Sequence, residues 1–61
     1  MYEYLDKVYV KSKNVSGIIV DISETKPTMY IVESDIYDAK NDEWPLYDCY
    51  ADDLKFIAHD E

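Results

Sequence analysis

Val15-Ser16-Gly17-Ile18-Ile19-Val20-Asp21-Ile22 is the stretch that decides the fold of this chain. Valine and isoleucine dominate it, and their branched Cβ atoms suit a pleated strand better than a helix. It also holds the only glycine, Gly17, and a glycine inside a strand marks a bulge or a bend, as at a barrel corner. Upstream, Val8 and Val10 alternate with Lys7, Tyr9 and Lys11, the pattern of a half-buried strand. The polar turn Ser12-Lys13-Asn14 separates the two. Downstream, Ser23-Glu24-Thr25-Lys26-Pro27 reads as a turn and Thr28-Met29-Tyr30-Ile31-Val32-Glu33 as a third strand. Ser34 to Glu43 is polar and acidic, too poor in apolar residues for a core element. Trp44 to Tyr50 predicts a fourth strand, entered through Pro45, which points to a strand end or a sheet edge. Ala51-Asp52-Asp53-Leu54 predicts a single helical turn with Asp52 as its cap. Lys55-Phe56-Ile57-Ala58 closes as a short fifth strand. Apolar spacing of the helical kind never persists beyond two turns, so the chain reads as all-β.

The length of 61 residues makes one domain, residues 1–61, near the lower limit at which a core forms without staples. Its stability margin should be about 3–5 kcal/mol. Cys49 is the single cysteine, so no intrachain disulfide can form, and a lone thiol fits a reducing compartment. The N-terminal residues lack the basic and apolar regions of a signal peptide. No apolar run, Ile18-Ile19-Val20 included, approaches the ~20 residues that cross a bilayer. The expectation is a cytoplasmic protein with no membrane contact.

Charge narrows the partner. Six lysines and no arginine face fourteen acids, a net charge of −8. Residues 1–30 balance, with Lys7, Lys11, Lys13 and Lys26 against Glu3, Asp6, Asp21 and Glu24. Residues 31–61 hold the other ten acids with only Lys40 and Lys55, so the whole excess lies there. Nucleic acid is bound through cationic neutralisation of phosphates, which this surface opposes. The charge keeps a small domain soluble and would steer in a basic protein partner.

The order of signals resembles a known family. Asp6-Lys7-Val8-Tyr9-Val10, Gly17-Ile18-Ile19-Val20-Asp21-Ile22, Tyr30-Ile31-Val32-Glu33 and Asp52-Asp53-Leu54-Lys55-Phe56-Ile57 are similar to the strand pattern of SH3-like barrels of the KOW or Tudor kind. The resemblance spans nearly the whole chain and rests on packing positions. It implies a small five-stranded antiparallel barrel with a short helical turn before the last strand. The glycine-rich β1–β2 loop of KOW domains is replaced by Lys11-Ser12-Lys13-Asn14-Val15-Ser16, which argues against RNA contacts through that loop. Tudor-like barrels hold methylated lysine or arginine in aromatic cages with nearby acids, and Trp44, Tyr50, Asp48 and Asp52 have that chemistry.

Carried through, the pattern turns Val8, Val10, Ile19, Ile22, Tyr30, Val32, Tyr47, Cys49, Leu54 and Ile57 inward. It turns Tyr9, Ile18, Val20, Ile31, Leu46, Asp48 and Tyr50 outward, more apolar surface than a plain solvated face needs. Seven tyrosines in so short a chain suit an interface, because tyrosine combines large area with one polar handle. Tyr9, Trp44 and Tyr50 are the surface candidates, and with Asp38, Asp42, Asp48 and Asp52 they form the expected partner-binding set.

Catalytic and metal-binding patterns are missing from the sequence. Cys49 reads as a small buried hydrophobe with no histidine nearby to activate it. Asp35, Asp38, Asp42 and Glu43 lack the glycine of a calcium loop. The one histidine, His59, has no zinc-site spacing, and His59-Asp60-Glu61 reads as a frayed tail. No cofactor is expected. Two functions remain. One is a non-catalytic module that docks a basic protein surface or peptide through an aromatic-acidic face. The other is an acidic inhibitor of phage or mobile-element origin that mimics nucleic acid and blocks a host enzyme's binding groove. The absence of arginine beside frequent Lys, Ile, Tyr, Asn and Asp fits an AT-rich genome of that sort. Concentration of the acids in one half, with aromatics among them, favours the docking module.

Overall fold

The computed structural model describes residues 2–59. Five strands, β1 (Asp6–Val10), β2 (Val15–Ser23), β3 (Met29–Ser34), β4 (Leu46–Tyr50) and β5 (Leu54–His59), form one antiparallel sheet in the order β4-β3-β2-β1-β5. A one-turn 3-10 segment, Ala51–Asp53, precedes β5. The all-β reading and the helical turn before the last strand therefore hold. Closure into a barrel is not seen in the pairing. The sheet ends at β4 on one side and β5 on the other, and no ladder joins them.

One face of the curved sheet carries the core: Val8, Val10, Val15, Ile19, Tyr30, Val32, Cys49 and Leu54 are buried, with Ile22, Tyr47 and Tyr2 packed against them. Tyr2, outside the predicted interior, spans the open side of this face. Its hydroxyl donates to the Leu54 carbonyl at 3.0 Å, and its ring meets Tyr30 edge-on at 5.6 Å.

Two register shifts correct the sequence reading. The expected irregularity at Gly17 is absent: Gly17 pairs regularly with Val8 and Ser34. Glycine is needed there for a different reason. A Cβ at Gly17 would stand 2.3 Å from the Glu33 carbonyl oxygen and 2.7 Å from Val32 Cγ1. The bulge in β2 falls at Val20, between the pairs Ile19–Val32 and Asp21–Ile31. That extra residue lets Ile19 and Ile22, three apart, both face inward. The second bulge places Ile57 between the pairs Phe56–Val8 and Ala58–Lys7. Ile57 was expected inside and is instead 46% exposed, as is its neighbour Phe56 at 52%; Leu54 is the one buried residue of this edge strand.

Three smaller expectations also change. β4 begins at Leu46, so Trp44 and Pro45 precede the strand; Pro45 lacks an N–H, although its carbonyl still accepts from the Ser34 amide at 2.8 Å. Asp52 lies inside the 3-10 turn, whose N-cap is Tyr50 with no side-chain hydrogen bond. Its neighbour Asp53 is the tethering acid, accepting from the Ser12 amide at 2.9 Å and the Ser12 hydroxyl at 2.5 Å. His59 is the last residue of β5 and pairs with Asp6, so it is no frayed tail; Asp60 and Glu61 lie outside the described residues.

The buried Asp6 carboxylate joins the first and last strands. His59 Nδ1 lies 2.5 Å from Asp6 Oδ1, and the Glu3 amide donates to Oδ2 at 2.8 Å. Burial raises the Asp6 pKa, but the His59 and Glu3 hydrogen bonds and the neighbouring positive charge outweigh it and leave it below the ordinary 3.8. A carboxylate whose folded pKa is depressed stabilises fully above its unfolded pKa and is lost as pH falls through the folded value. The expected result is an acid limb of the melting curve below pH ~4 that flattens in Asp6→Asn, measured by circular dichroism across that range. An Asp6→Asn protein with the wild-type acid limb would assign the acid sensitivity to other carboxylates.

Candidate functional site

The β3–β4 loop, read from sequence as polar, acidic and outside the core, is tied down at both ends. Buried Ser34 uses its hydroxyl to accept from the Ile36 amide at 2.9 Å. The Asp35 amide donates to the Ser16 carbonyl at 2.9 Å, and the Asp35 carboxylate meets Lys7 Nζ at 3.3 Å. Farther along, Asp38 and Glu43 exchange both backbone hydrogen bonds, at 2.8 and 3.2 Å, closing a miniature hairpin. Asp42 holds its left-handed position, φ 55°, which aspartate tolerates through local side-chain bonding. Asp38 knits the tip together, accepting from the Asn41 side chain at 2.8 Å and from the Lys40 and Asn41 amides. The Asn41 bonds, first among these, hold the Asp38 carboxyl below its ordinary pKa.

This ordered loop leaves its large side chains in water. Ile36 is 64% exposed and Trp44 50% exposed. The Tyr37 and Trp44 rings meet edge-on at 5.2 Å, each fixing the other. Behind them lies an open groove of about 390 Å³ between the β1–β2 turn and the β3–β4 loop, lined by Lys13, Val15, Ile36, Tyr37, Pro45 and Tyr47 among others. Lys13 Nζ stands over the Tyr47 ring, 5.5 Å from its centroid, within the range of cation–π attraction. The groove floor is therefore an aromatic face that already carries a cation.

The predicted site residues sort by position along β4. Asp38, Asp42 and Trp44 lie in the loop that enters the strand, Asp48 and Tyr50 on its outer face, and Asp52 in the turn that leaves it. Trp44 and Tyr50 stand at opposite ends of β4, roughly 15–20 Å apart at ~3.3 Å per residue. They do not converge on one cage. Tyr50 instead shares a shallow, mostly apolar recess with Pro27, Ala51 and Asp52. Tyr9 is remote, three strands from β4, with its hydroxyl bonded to Asn14 Oδ1 across the β1–β2 turn. Tyr47, assigned to the core by pattern, is only half-buried and shows its ring to the groove.

Ile36 and Tyr37 were missed, although an apolar pair in a segment with no core task is itself a signal of contact surface. The other chemistries are limited. Burial, reinforced by Asp53 and Asp48, pushes the Cys49 thiol up, away from the thiolate a nucleophile needs. Glu3, Asp6 and His59 bring ligand atoms within 4.8 Å of one another, an arrangement invisible in sequence because 53 residues separate Asp6 from His59. The Asp6–His59 contact and the Glu3 amide account for that geometry. Among the described residues no helix is long and apolar enough to cross a membrane. No protein-family model, curated protein or solved structure matches the chain.

Proposed function

We propose that this chain is a small non-catalytic protein-binding module, an SH3-like barrel, that docks a basic protein surface or peptide through β4 and the loop leading into it. The observation that carries this reading is the ordered β3–β4 loop that holds Ile36, Tyr37 and Trp44 in place yet exposed. Fixed aromatics in water lose little entropy on binding, so their contact area converts efficiently into affinity. Six of the seven expected contact residues flank or occupy β4. The placement of β5 beside β1, with a 3-10 turn before it, is compatible with a strongly coiled SH3-like sheet. The lone buried Cys49 suits work in a reducing, cytoplasmic compartment.

The test is to capture the partner from the organism that encodes the chain and to measure its binding by surface plasmon resonance at several salt concentrations. Tyr37→Ala and Trp44→Ala should each cost more than about 1 kcal/mol, mainly by raising the off-rate, with melting unchanged; Tyr50→Ala tests the far end of β4 in the same way. Asp42→Asn, which removes the charge and keeps a residue suited to the left-handed backbone, should instead slow association, and salt should mask the change. Asp42 is a cleaner probe than Asp38, whose carboxylate builds the loop. Affinity that ignores the aromatics, falls with every carboxylate removed and is competed by nucleic acid would establish the mimic instead. Micromolar binding of DNA or RNA by the protein itself would overturn both readings.

A further inference from the structure

The sheet has two edges, and they are protected unequally. An unpaired edge presents backbone donors and acceptors to any other strand, and proteins blunt it with bulges, lysines or a covering segment. β5 has all three: the bulge at Ile57, Lys55, and Tyr2, whose hydroxyl occupies the Leu54 carbonyl. β4 has none of them. Its register with β3 is unbroken from Leu46 to Tyr50, and it contains neither lysine nor proline.

The direction of its free backbone groups follows from one hydrogen bond. The Ser34 amide donates to the Pro45 carbonyl, so the Ser34–Pro45 pair is hydrogen-bonded. Alternation along the ladder then turns the polar backbone of Tyr47 and Cys49 toward β3 and that of Leu46, Asp48 and Tyr50 toward the open edge. The same three residues have exposed side chains, with Leu46 at 58% and Tyr50 at 47%. The edge thus displays an apolar–acidic–apolar row.

We infer that β4 accepts a sixth strand from a partner protein, an extended segment with a lysine or arginine opposite Asp48 and apolar residues opposite Leu46 and Tyr50. This deepens the docking reading and rests on it. Main-chain hydrogen bonds to the edge supply affinity, and alternate side chains supply specificity. Cross-strand pairing favours opposite charges and apolar pairs at directly opposed positions. The pattern reads the same in both directions, so a parallel or an antiparallel segment satisfies it. A second copy of this chain does not: fully overlapped antiparallel self-pairing sets Asp48 against Asp48, which like-charge repulsion disfavours, on top of the repulsion between two chains of charge −8.

The probe is a short capped synthetic strand of alternating threonine, with valine facing Leu46 and Tyr50 and lysine facing Asp48, titrated into the isotope-labelled full chain and followed by NMR. The expected changes fall on the amides of Leu46, Asp48 and Tyr50. Exchanging the peptide lysine for glutamate should weaken binding by about tenfold, and Asp48→Lys should reverse that preference. N-methylating the amides of the peptide's lysine and of the threonine that follows it, which removes the donor to Asp48 in either strand direction and keeps the side chains, should abolish binding. Should Asp48→Lys fail to fold, the lysine–glutamate comparison on the wild-type chain still decides. Absence of binding, equal binding of both peptides, or changes confined to the β3–β4 loop would overturn the inference, as would dimerisation of the chain through β4. A captured partner that the peptides do not displace, but that Trp44→Ala weakens, would overturn strand addition while leaving the docking reading intact.

Discussion

Gly17→Ala should abolish the cooperative melting transition of this protein. Gly17 sits in β2, with neighbours on both sides. The added methyl would lie 2.3 Å from the Glu33 carbonyl oxygen and 2.9 Å from its carbon, closer than non-bonded atoms approach. The obstacle is backbone, so it cannot be relieved by turning a side chain; the β2–β3 ladder would have to open. Small-to-large changes in packed interiors cost about 1–3 kcal/mol and sometimes more, and loss of ladder hydrogen bonds adds to that. A domain of this size holds only about 3–5 kcal/mol in reserve. The measurement is a thermal melt by circular dichroism beside an NMR spectrum. Ser16→Ala, one residue away on the half-buried outer face, is the matched control and should melt within a few degrees of wild type. A folded Gly17→Ala with wild-type melting would mean that β2 and β3 stand farther apart there than the structure places them.

Gly17 also illustrates what a sequence makes legible. That this position needs glycine could be read directly, because a lone glycine amid valine and isoleucine has to have a reason. Which reason could not be read, since both a bulge and a close strand crossing call for the same residue. Strand existence was legible from β-branched density and alternation, and seven of the ten residues expected inside are buried, with Ile22 and Tyr47 half-buried. The bulges at Val20 and Ile57 leave no compositional mark, because each is set by the partner strand's register. Tyr2 was invisible for a related reason: its bond to Leu54 spans 52 residues. The contact surface was partly legible. Trp44 stood out as a lone tryptophan among acids. The geometry that makes it usable, a hairpin tip folded by Asp38 around its neighbours, depends on side-chain bonds that a polar composition conceals. The separation of Trp44 from Tyr50 follows from strand length alone, once the strand is known to start at Leu46.

Ile19 and Ile57 give the sharpest test of that register. Both were expected inside, and they have opposite fates: Ile19 lies in the regular part of β2, and Ile57 lies at the β5 bulge. Ile19 is fully buried among the core residues of all five strands, whereas Ile57 is nearly half exposed at the bulge in an edge strand. Ile19→Ala removes buried methyl and methylene groups and leaves a cavity, at a cost of about 2–5 kcal/mol. That equals or exceeds the domain's margin, so the variant should be largely unfolded at room temperature. Ile57→Ala gives up only partly exposed surface, and substitutions of that kind stay near ±0.5 kcal/mol, a shift of a few degrees in melting temperature. Urea titrations of the two variants beside wild type separate the cases, because the midpoint falls in proportion to the stability lost. Equal losses at both sites would remove the β5 bulge from the fold and return Ile57 to the core. The bulge then gains a functional meaning from the same experiment. A tolerant Ile57 is what the register shift in β5 requires, and it fits the contrast with the unbroken register of β4 on which the proposed strand addition rests.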